Sequence, residues 1–373
     1  MNISLGVIAV LVLLLQLIPV PHSFVEEARL YQDNDEMFGL ETSYFVLTQN
    51  GTLVGWGGNS RQSVSSIFKF SSPYLFRRVA ARGVAEFAYG TNLAMYVDEN
   101  HILWGWGANE SLLLSDKETN LRSATKVMDD VKSIALGREH ALVIKTDGTL
   151  WTWGRNERGQ LGNGTLGVRD GMIIDDSKFY EPQKIMDDVK YIRVVEDISF
   201  AISENGDLYM WGNTAICAPL KIAEEVQDIN HAYIERSGAW FQYLSLNGDV
   251  YSFDLREKGA NDPFKGPITR DVSSLCRMGV VKNDGSLWRW ENEEDELKLV
   301  KECDNVVSAV DTSFYLTSSG RVYSDSIPQW LPRFPHSLLN VVPILRDIFL
   351  LLVIVKAIVN HSEKEEDALG KQN

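Results

Sequence analysis

Basic side chains are in deficit. Thirty-six Lys and Arg stand against 51 Asp and Glu in 373 residues, a formal charge of −15. Such a chain has no general attraction for nucleic-acid phosphates or anionic lipid, which needs clustered cations, and it meets a basic partner faster than an acidic one. Cysteine is scarce: Cys217, Cys276 and Cys303 are an odd number with no close pair. That excludes a disulfide framework and a zinc ribbon, and leaves room for one bridge at most. Six histidines are spread along the chain, and no Gly-x-Ser-x-Gly, His-Glu-x-x-His or phosphate-loop pattern is present. Neither a catalytic residue, a metal site nor a cofactor is expected.

Tryptophan and glycine are what the chain has in quantity, ten and 28 respectively, in an otherwise ordinary composition of 45% hydrophobic and 23% charged residues. That composition excludes collagen-like, low-complexity and wholly disordered chains. An internal repeat accounts for the excess. One phrase recurs: an apolar run, a polar turn ending in Gly, an apolar residue, an aromatic, any residue, an aromatic, a small residue. It reads FVLTQNGTLVGWG (45–57), AMYVDENHILWGWG (94–107), ALVIKTDGTLWTWG (141–154) and FAISENGDLYMWG (200–212). It continues as YLSLNGDVYSFD (243–254), VVKNDGSLWRWE (280–291) and YLTSSGRVYSDS (315–326). The turn positions are Gly51, His101, Gly148, Gly206, Gly248, Gly285 and Gly320, at intervals of 50, 47, 58, 42, 37 and 35. Trp104, Trp151 and Trp288 fill the first aromatic column and Trp56, Trp106, Trp153, Trp211 and Trp290 the second, leaving only Trp240 and Trp330 outside.

Each phrase predicts a hairpin, because Asn-Gly and Asp-Gly supply the positive φ that a two-residue turn needs and the flanks alternate apolar with polar. His101 replaces Gly in the second copy, so a turn of another form is expected there. A further strand precedes most hairpins (131–137, 189–195, 226–232, 306–311), often behind an acidic pair such as Asp129-Asp130 or Asp187-Asp188. Segments such as 182–185 and 76–80 offer a fourth strand. Four short strands repeated seven times predict an all-β, seven-bladed β-propeller over 31–345.

The third copy carries His140, Ala141 and Leu142, then Asp147-Gly148, Trp151, Trp153-Gly154, Asn156 and Gly159-Gln160-Leu161-Gly162. This resembles the repeat of the regulator of chromosome condensation nearly throughout. The other copies keep the hairpin but lose the Gly-Gln-Leu-Gly tail, and the last three also lose the glycine after the second aromatic. The resemblance covers about residues 37–345 and implies the same propeller.

The ends of the chain are apolar. Residues 1–25 carry no charged side chain, and Leu5 to Ile18 is broken only by Gly6 and Gln16. Residues 1–23 are expected to be a signal peptide or an N-terminal membrane anchor, and the protein to be secreted or held at the cell surface. The stretch 338–359 is interrupted by Arg346, Asp347 and Lys356, each costing roughly 2.5–3.5 kcal/mol at mid-span. Residues 338–360 therefore predict one or more closing strands that latch the ring, with a membrane helix as the alternative, and 361–373 a charged disordered tail.

Function in such a fold lives in loops. His140 alone occupies its column, which elsewhere holds Ser43, Leu93, Ile198, Trp240, Arg277 and Thr312, so it reads as a packed strand residue. The acidic run 291–296 and the pair Asp175-Asp176 lack calcium-loop spacing and read as solvated charge. Asn-x-Ser/Thr sites stand at Asn2, Asn50, Asn109, Asn163 and Asn360, and matter only in a eukaryotic secretory route. The resemblance implies guanine-nucleotide exchange on a small nuclear GTPase with chromatin binding as one role. The apolar N terminus and the negative charge argue against it. Secreted bacterial members, one type of which covers an extracellular enzyme with a propeller face, imply another. The expectation is a monomeric, non-enzymatic extracytoplasmic module that binds a protein through inter-blade loops and does not bind nucleic acid. The alternatives are an exchange-factor-like regulator and a glycan-binding or glycan-processing propeller. Candidate contacts are Arg155, Glu157, Arg158, Arg169 and Asp170 in the longest connection, with Trp240.

Overall fold

The computed structural model describes residues 29–324, except 34–42, 49, 58–77, 91–92, 110–112, 116–120, 167, 170–171, 174–180, 213–215, 236–237, 255–265, 294–295, 313 and 320–321. The expected signal or anchor, the closing strand at 338–360, the charged tail, Trp330 and the turn at Gly320 lie outside the described residues.

Every regular element among the described residues is a β-strand. The strands form seven antiparallel meanders. Blade one comprises Arg29–Asp33, Ser43–Leu47, Leu53–Gly57 and Arg78–Ala81, and blade two Val84–Gly90, Leu93–Asp98, Leu103–Gly107 and Leu121–Met128. Blade three is Val131–Leu136, His140–Lys145, Leu150–Gly154 and Gln183–Met186, and blade four Val189–Val195, Ile198–Ser203, Leu208–Trp211 and Leu220–Ala223. Blade five is Val226–Glu235, Gly238–Ser245 and Val250–Asp254, and blade six Val272–Cys276, Gly279–Lys282, Leu287–Glu293 and Glu296–Cys303. Blade seven is Val306–Asp311, Phe314–Thr317 and Val322–Ser324. Gln183–Met186 and Arg78–Ala81 are the fourth strands expected from segments 182–185 and 76–80. A small ribbon, Val168–Arg169 against Met172–Ile173, interrupts blade three between its third and fourth strands.

The first strand of each blade lies beside the first strand of the next, and the cycle closes where Arg29–Asp33 meets Val306–Asp311. These seven strands surround the ring centre: a seven-bladed propeller. Antiparallel order puts the second-to-third-strand hairpins and the blade-to-blade connections on one face, here the turn face. The first-to-second and third-to-fourth connections lie on the opposite, loop face.

Both faces of a blade are covered by its neighbours, which is why the second strands read as continuous apolar runs rather than alternations. His140–Lys145 is buried through its first five residues. Ala141 and Val143 pack toward blade two with Trp153, while Leu142 and Ile144 pack toward blade four with Trp211. Trp106 fills the same place between blades one and two, Phe253 between four and five, and Trp290 between five and six. The second aromatic column is the inter-blade core, as the repeat implies.

A backbone link repeats on the turn face. The amides of Val84, Val131, Val189, Val226, Val272 and Val306 donate to the carbonyls of Gly51, His101, Gly148, Gly206, Gly248 and Gly285, each in the preceding blade. The residue before each valine has a positive φ: Gly83, Asp130, Asp188, Glu225, Asp271 and Asn305, between 54° and 66°. The second acid of each acidic pair is thus the left-handed residue that turns the chain into a new blade. The first acid closes an ion pair with a lysine three residues earlier, as in Lys126–Asp129 at 2.7 Å and Lys184–Asp187 at 2.6 Å. Both are exposed, so these pairs fix local geometry more than they stabilise.

The turn at His101 corrects the sequence expectation. It has the same form as the glycine turns: His101 takes φ 63°, its N–H bonds Asp98 O at 3.0 Å, and the Asp98 N–H bonds Ile102 O at 2.9 Å. Lys145, Gly148 and Thr149 make the same two bonds in the third copy. Histidine is tolerated because Asp98 braces the turn, accepting from the amides of Asn100 and Ile102 and from the Trp104 indole. Burial works against the Asp98 carboxylate, but these donors outweigh it and hold its pKa below the usual value.

Candidate protein-interaction face

The third-copy loop is built on Asn156. Its Oδ1 accepts the Leu161 amide at 3.0 Å, and its Nδ2 donates to Asn163 Oδ1 and Thr165 O. The loop is thereby held so that the Gln160 carbonyl receives both the Trp211 indole, at 2.9 Å, and the Ser199 hydroxyl, at 3.0 Å, from blade four. Blade two does the same without the glycine-rich signature. Asn109, fully buried, accepts the Leu114 amide at 2.8 Å, and the Leu113 carbonyl receives the Trp153 indole at 3.1 Å. The second copy lacks the Gly-Gln-Leu-Gly tail, as its sequence shows, yet keeps the contact. The motif's work is done by an asparagine and a backbone carbonyl, so Leu113 can stand where Gln160 does. Blades five and six use side chains instead, with the Trp290 indole donating to Gln242 Oε1 at 2.7 Å.

His140 and Ser199 meet inside this clip, Nε2 to Oγ at 2.9 Å, both with no exposed surface. The Ser199 hydroxyl proton goes to Gln160, so Nε2 donates to Ser199 and Nδ1 keeps a lone pair with no hydrogen-bond partner among the described residues. Burial pushes the imidazole pKa down to about 3. A neutral base with no access, beside a hydroxyl committed to a carbonyl, joins two blades and performs no nucleophilic chemistry.

Above the clip, on the loop face, charged side chains converge from two blades. Arg155 lies 3.2 Å from Glu157 and 3.5 Å from Glu139, and Arg158 lies 3.2 Å from Asp197 in the first turn of blade four. Backbone bonds set this geometry, from Arg155 N–H to Glu139 O and from Arg138 N–H to Glu196 O. Burial raises the Glu139 carboxyl above its usual value, opposed by the neighbouring Arg155 and reinforced by Glu157 and Asp197. Of the sequence candidates, the structure therefore brings together Arg155, Glu157 and Arg158, and adds Glu139 and Asp197.

The other candidates stand apart. Arg169 belongs to the ribbon strand, and nothing of its side chain is described. Asp170 is outside the described residues. Trp240 is not a loop residue: its backbone sits within Gly238–Ser245, opposite Tyr233 and Asp254, with its side chain undescribed. Of the acidic run 291–296, Glu291 to Glu293 and Glu296 belong to two paired strands, and Glu291 lies 2.6 Å from Arg289.

One group at the ring centre escapes sequence reading altogether. Arg193 donates twice to the Tyr191 hydroxyl, at 3.0 and 2.7 Å, and lies 3.8 Å from Asp228 of blade five. Burial pushes the Tyr191 phenol up. It also works against the charge on Arg193, but Tyr191 and Asp228 outweigh it and raise the guanidinium pKa. No His, Cys, Asp and Glu cluster with metal-holding geometry occurs among the described residues.

The regulator of chromosome condensation (RCC1) repeat model matches residues 131–160 in one version and 147–200 in another. No curated protein sequence matches the chain. Among solved structures, human WBSCR16 superposes with a TM-score of 0.53 at 17% identity, over 73% of this chain and 82% of that one. Prp20p from Saccharomyces cerevisiae, described with its binding properties to Gsp1p and histones, gives 0.52 at 16% identity, over 70% and 75%. The repeat match falls on the Asn156 clip and its hairpin; the chain is a seven-bladed β-propeller whose blades three and four are similar to the regulator of chromosome condensation repeat.

Proposed function

We propose that this chain is a non-enzymatic protein-interaction propeller that works outside the cytoplasm, as a scaffold or an inhibitor-like cover, and takes its partner on the loop face at blades three and four. The observation that carries the reading is the Arg158–Asp197 pair. Its arginine is 63% exposed yet bridges two blades, next to the Arg155–Glu139–Glu157 group. Charges already oriented on a rigid ring cost a partner little ordering on binding, and rim charges of this kind set partner choice and encounter rate more than raw affinity. The net charge of −15 favours a partner with a basic docking surface.

The test is a photo-crosslinking residue at position 157 of the full chain, exposed to surface or culture extract of the parent cell. One discrete adduct is expected. Arg158→Glu is expected to lower its yield by about tenfold, the scale of a hot-spot contact, while Glu204→Lys on the turn face leaves it unchanged. Equal yields from all three proteins would sink the assignment of the face.

A second reading is regulation of a small GTPase. It is favoured by the architecture shared with Prp20p, a protein described with binding to Gsp1p. It predicts faster release of labelled nucleotide from a small GTPase of the same cell when the propeller is added. The first reading predicts an unchanged release rate.

A further inference from the structure

Three of the five Asn-x-Ser/Thr sites fall within the described residues, and their amides are in three different states. Asn109 is fully buried. Its oxygen holds the Leu114 amide, and its nitrogen donates to Ser115 O at 3.1 Å and Ser115 Oγ at 3.0 Å. Any group on that nitrogen would displace the loop whose Leu113 carbonyl receives Trp153. Asn163 is half-buried. Its oxygen is shared by Asn156, the Thr165 amide and the Thr165 hydroxyl, and its nitrogen donates to Gln183 Oε1 at 2.9 Å.

Asn50 differs from both. It is exposed at the tip of the first hairpin on the turn face. Its Oδ1 accepts the Thr48 hydroxyl at 2.6 Å and the Thr52 amide at 3.3 Å, which directs the oxygen inward over the turn. Its Nδ2 has no hydrogen bond among the described residues. The arrangement is general to the repeat. In the third and sixth hairpins Asp147 and Asp284 hold the amides of Thr149 and Ser286 in the same way, at 3.0 and 2.9 Å. Where the repeat uses Asn in place of Asp before Gly-Thr, its own turn chemistry writes an acceptor site with the nitrogen facing solvent.

We propose that Asn50 is an N-glycan acceptor and that Asn109 and Asn163 remain unmodified in the folded protein; this rests on the extracytoplasmic reading above. In the transfer, Asn50 Nδ2 bonds to the anomeric carbon of the first sugar of a polyprenyl-pyrophosphate oligosaccharide. The bond from that carbon to the pyrophosphate oxygen breaks, its electron pair leaves with the polyprenyl pyrophosphate, and the amide proton passes to a base of the transferase. The glycan would stand on the turn face at blade one, on the opposite side of the ring from Arg158. It leaves the proposed partner face open and shields the hairpin tips.

The experiment expresses the full chain in cells with a eukaryotic secretory route, once with its own N terminus and once behind an added cleavable signal. The secreted pool is digested with peptide N-glycosidase in heavy-oxygen water, and labelled Asp is located by mass spectrometry. Label at residue 50 is expected, with a single mobility shift that Asn50→Gln and Thr52→Ala each abolish, and no label at 109 or 163. Secreted chain without label at 50, or with label at 109 or 163, overturns the proposal. If only the chain with the added signal is secreted, the export reading fails while the labelling result still decides Asn50.

Discussion

At neutral pH the His140 imidazole is uncharged, wedged between Ser199 and the backbone at Gly137, and its cost appears only on acidification. Its folded pKa is pushed down to about 3 by burial, whereas the unfolded chain takes up a proton near 6.5. Between those values the unfolded state binds the extra proton. Stability contributed by the neutral ring is therefore whole above pH 6.5 and falls by about 1.4 kcal/mol per pH unit below it, until both states are protonated. His140→Gln can keep the bond to Ser199 and cannot titrate. Urea melts from pH 7 to pH 4 are expected to give a stability difference between wild type and this variant that grows in the variant's favour as the pH falls. A difference independent of pH would mean that the ring is hydrated. Sequence reasoning identifies His140 as a packed strand residue from its column, but not its partner, because Ser199 sits 59 residues away in another blade.

The hairpin is the element the sequence specifies best, since Asp-Gly, Asn-Gly and the flanking alternation all act within a dozen residues. His101 marks the edge of that legibility. Residue type alone argues for a different turn, and the retained geometry depends on the Asp98 carboxylate holding two amides. If Asp98 carries the turn, the side chain at 101 has only to tolerate φ 63°. His101→Gly is then expected to stay within about 1 kcal/mol of wild type, gaining backbone ease and losing the 3.2 Å contact of His101 Nδ1 with Val131 O. His101→Val places a β-branched residue in the left-handed region and is expected to cost about 2 kcal/mol. Denaturant midpoints at constant slope read the difference. Equal midpoints for the two variants would show that the turn relaxes to another form when histidine is lost. The blade-two loop lies beyond legibility for a related reason. Asn109 can be read, but a carbonyl leaves no residue-type signature, so Leu113 conceals a contact that Gln160 advertises. The charged lattice is partly legible: Arg155, Glu157 and Arg158 sit together in one long connection, while Glu139 and Asp197 join them only through the pairing of strands from two blades.

From blade one to blade seven each blade is tied to the next by the same valine-to-turn bond, and from blade one to blade six by an aromatic plug as well, so stability is close to a sum of nearest-neighbour terms. A ring differs from an open solenoid only by its last joint, and here the first strand makes that joint. Arg29–Asp33 pairs with Ser43–Leu47 and lies against both Val84–Gly90 and Val306–Asp311. The repeat predicts seven units but not this closure, because Arg29–Asp33 precedes the first recognisable hairpin and carries none of the marks of the other first strands. Removing it should leave the neighbour terms of blades two to six intact while exposing inner edges in blades one and seven. A chain beginning at residue 34 is therefore expected to unfold in two stages. Amides of Phe314–Thr317 and Ser43–Leu47 should lose hydrogen-exchange protection first, and those of His140–Lys145 and Ile198–Ser203 should keep theirs to within about tenfold. Uniform loss of protection across all blades would show that the ring unfolds as one unit and that closure, rather than the sum of blade pairs, sets its stability.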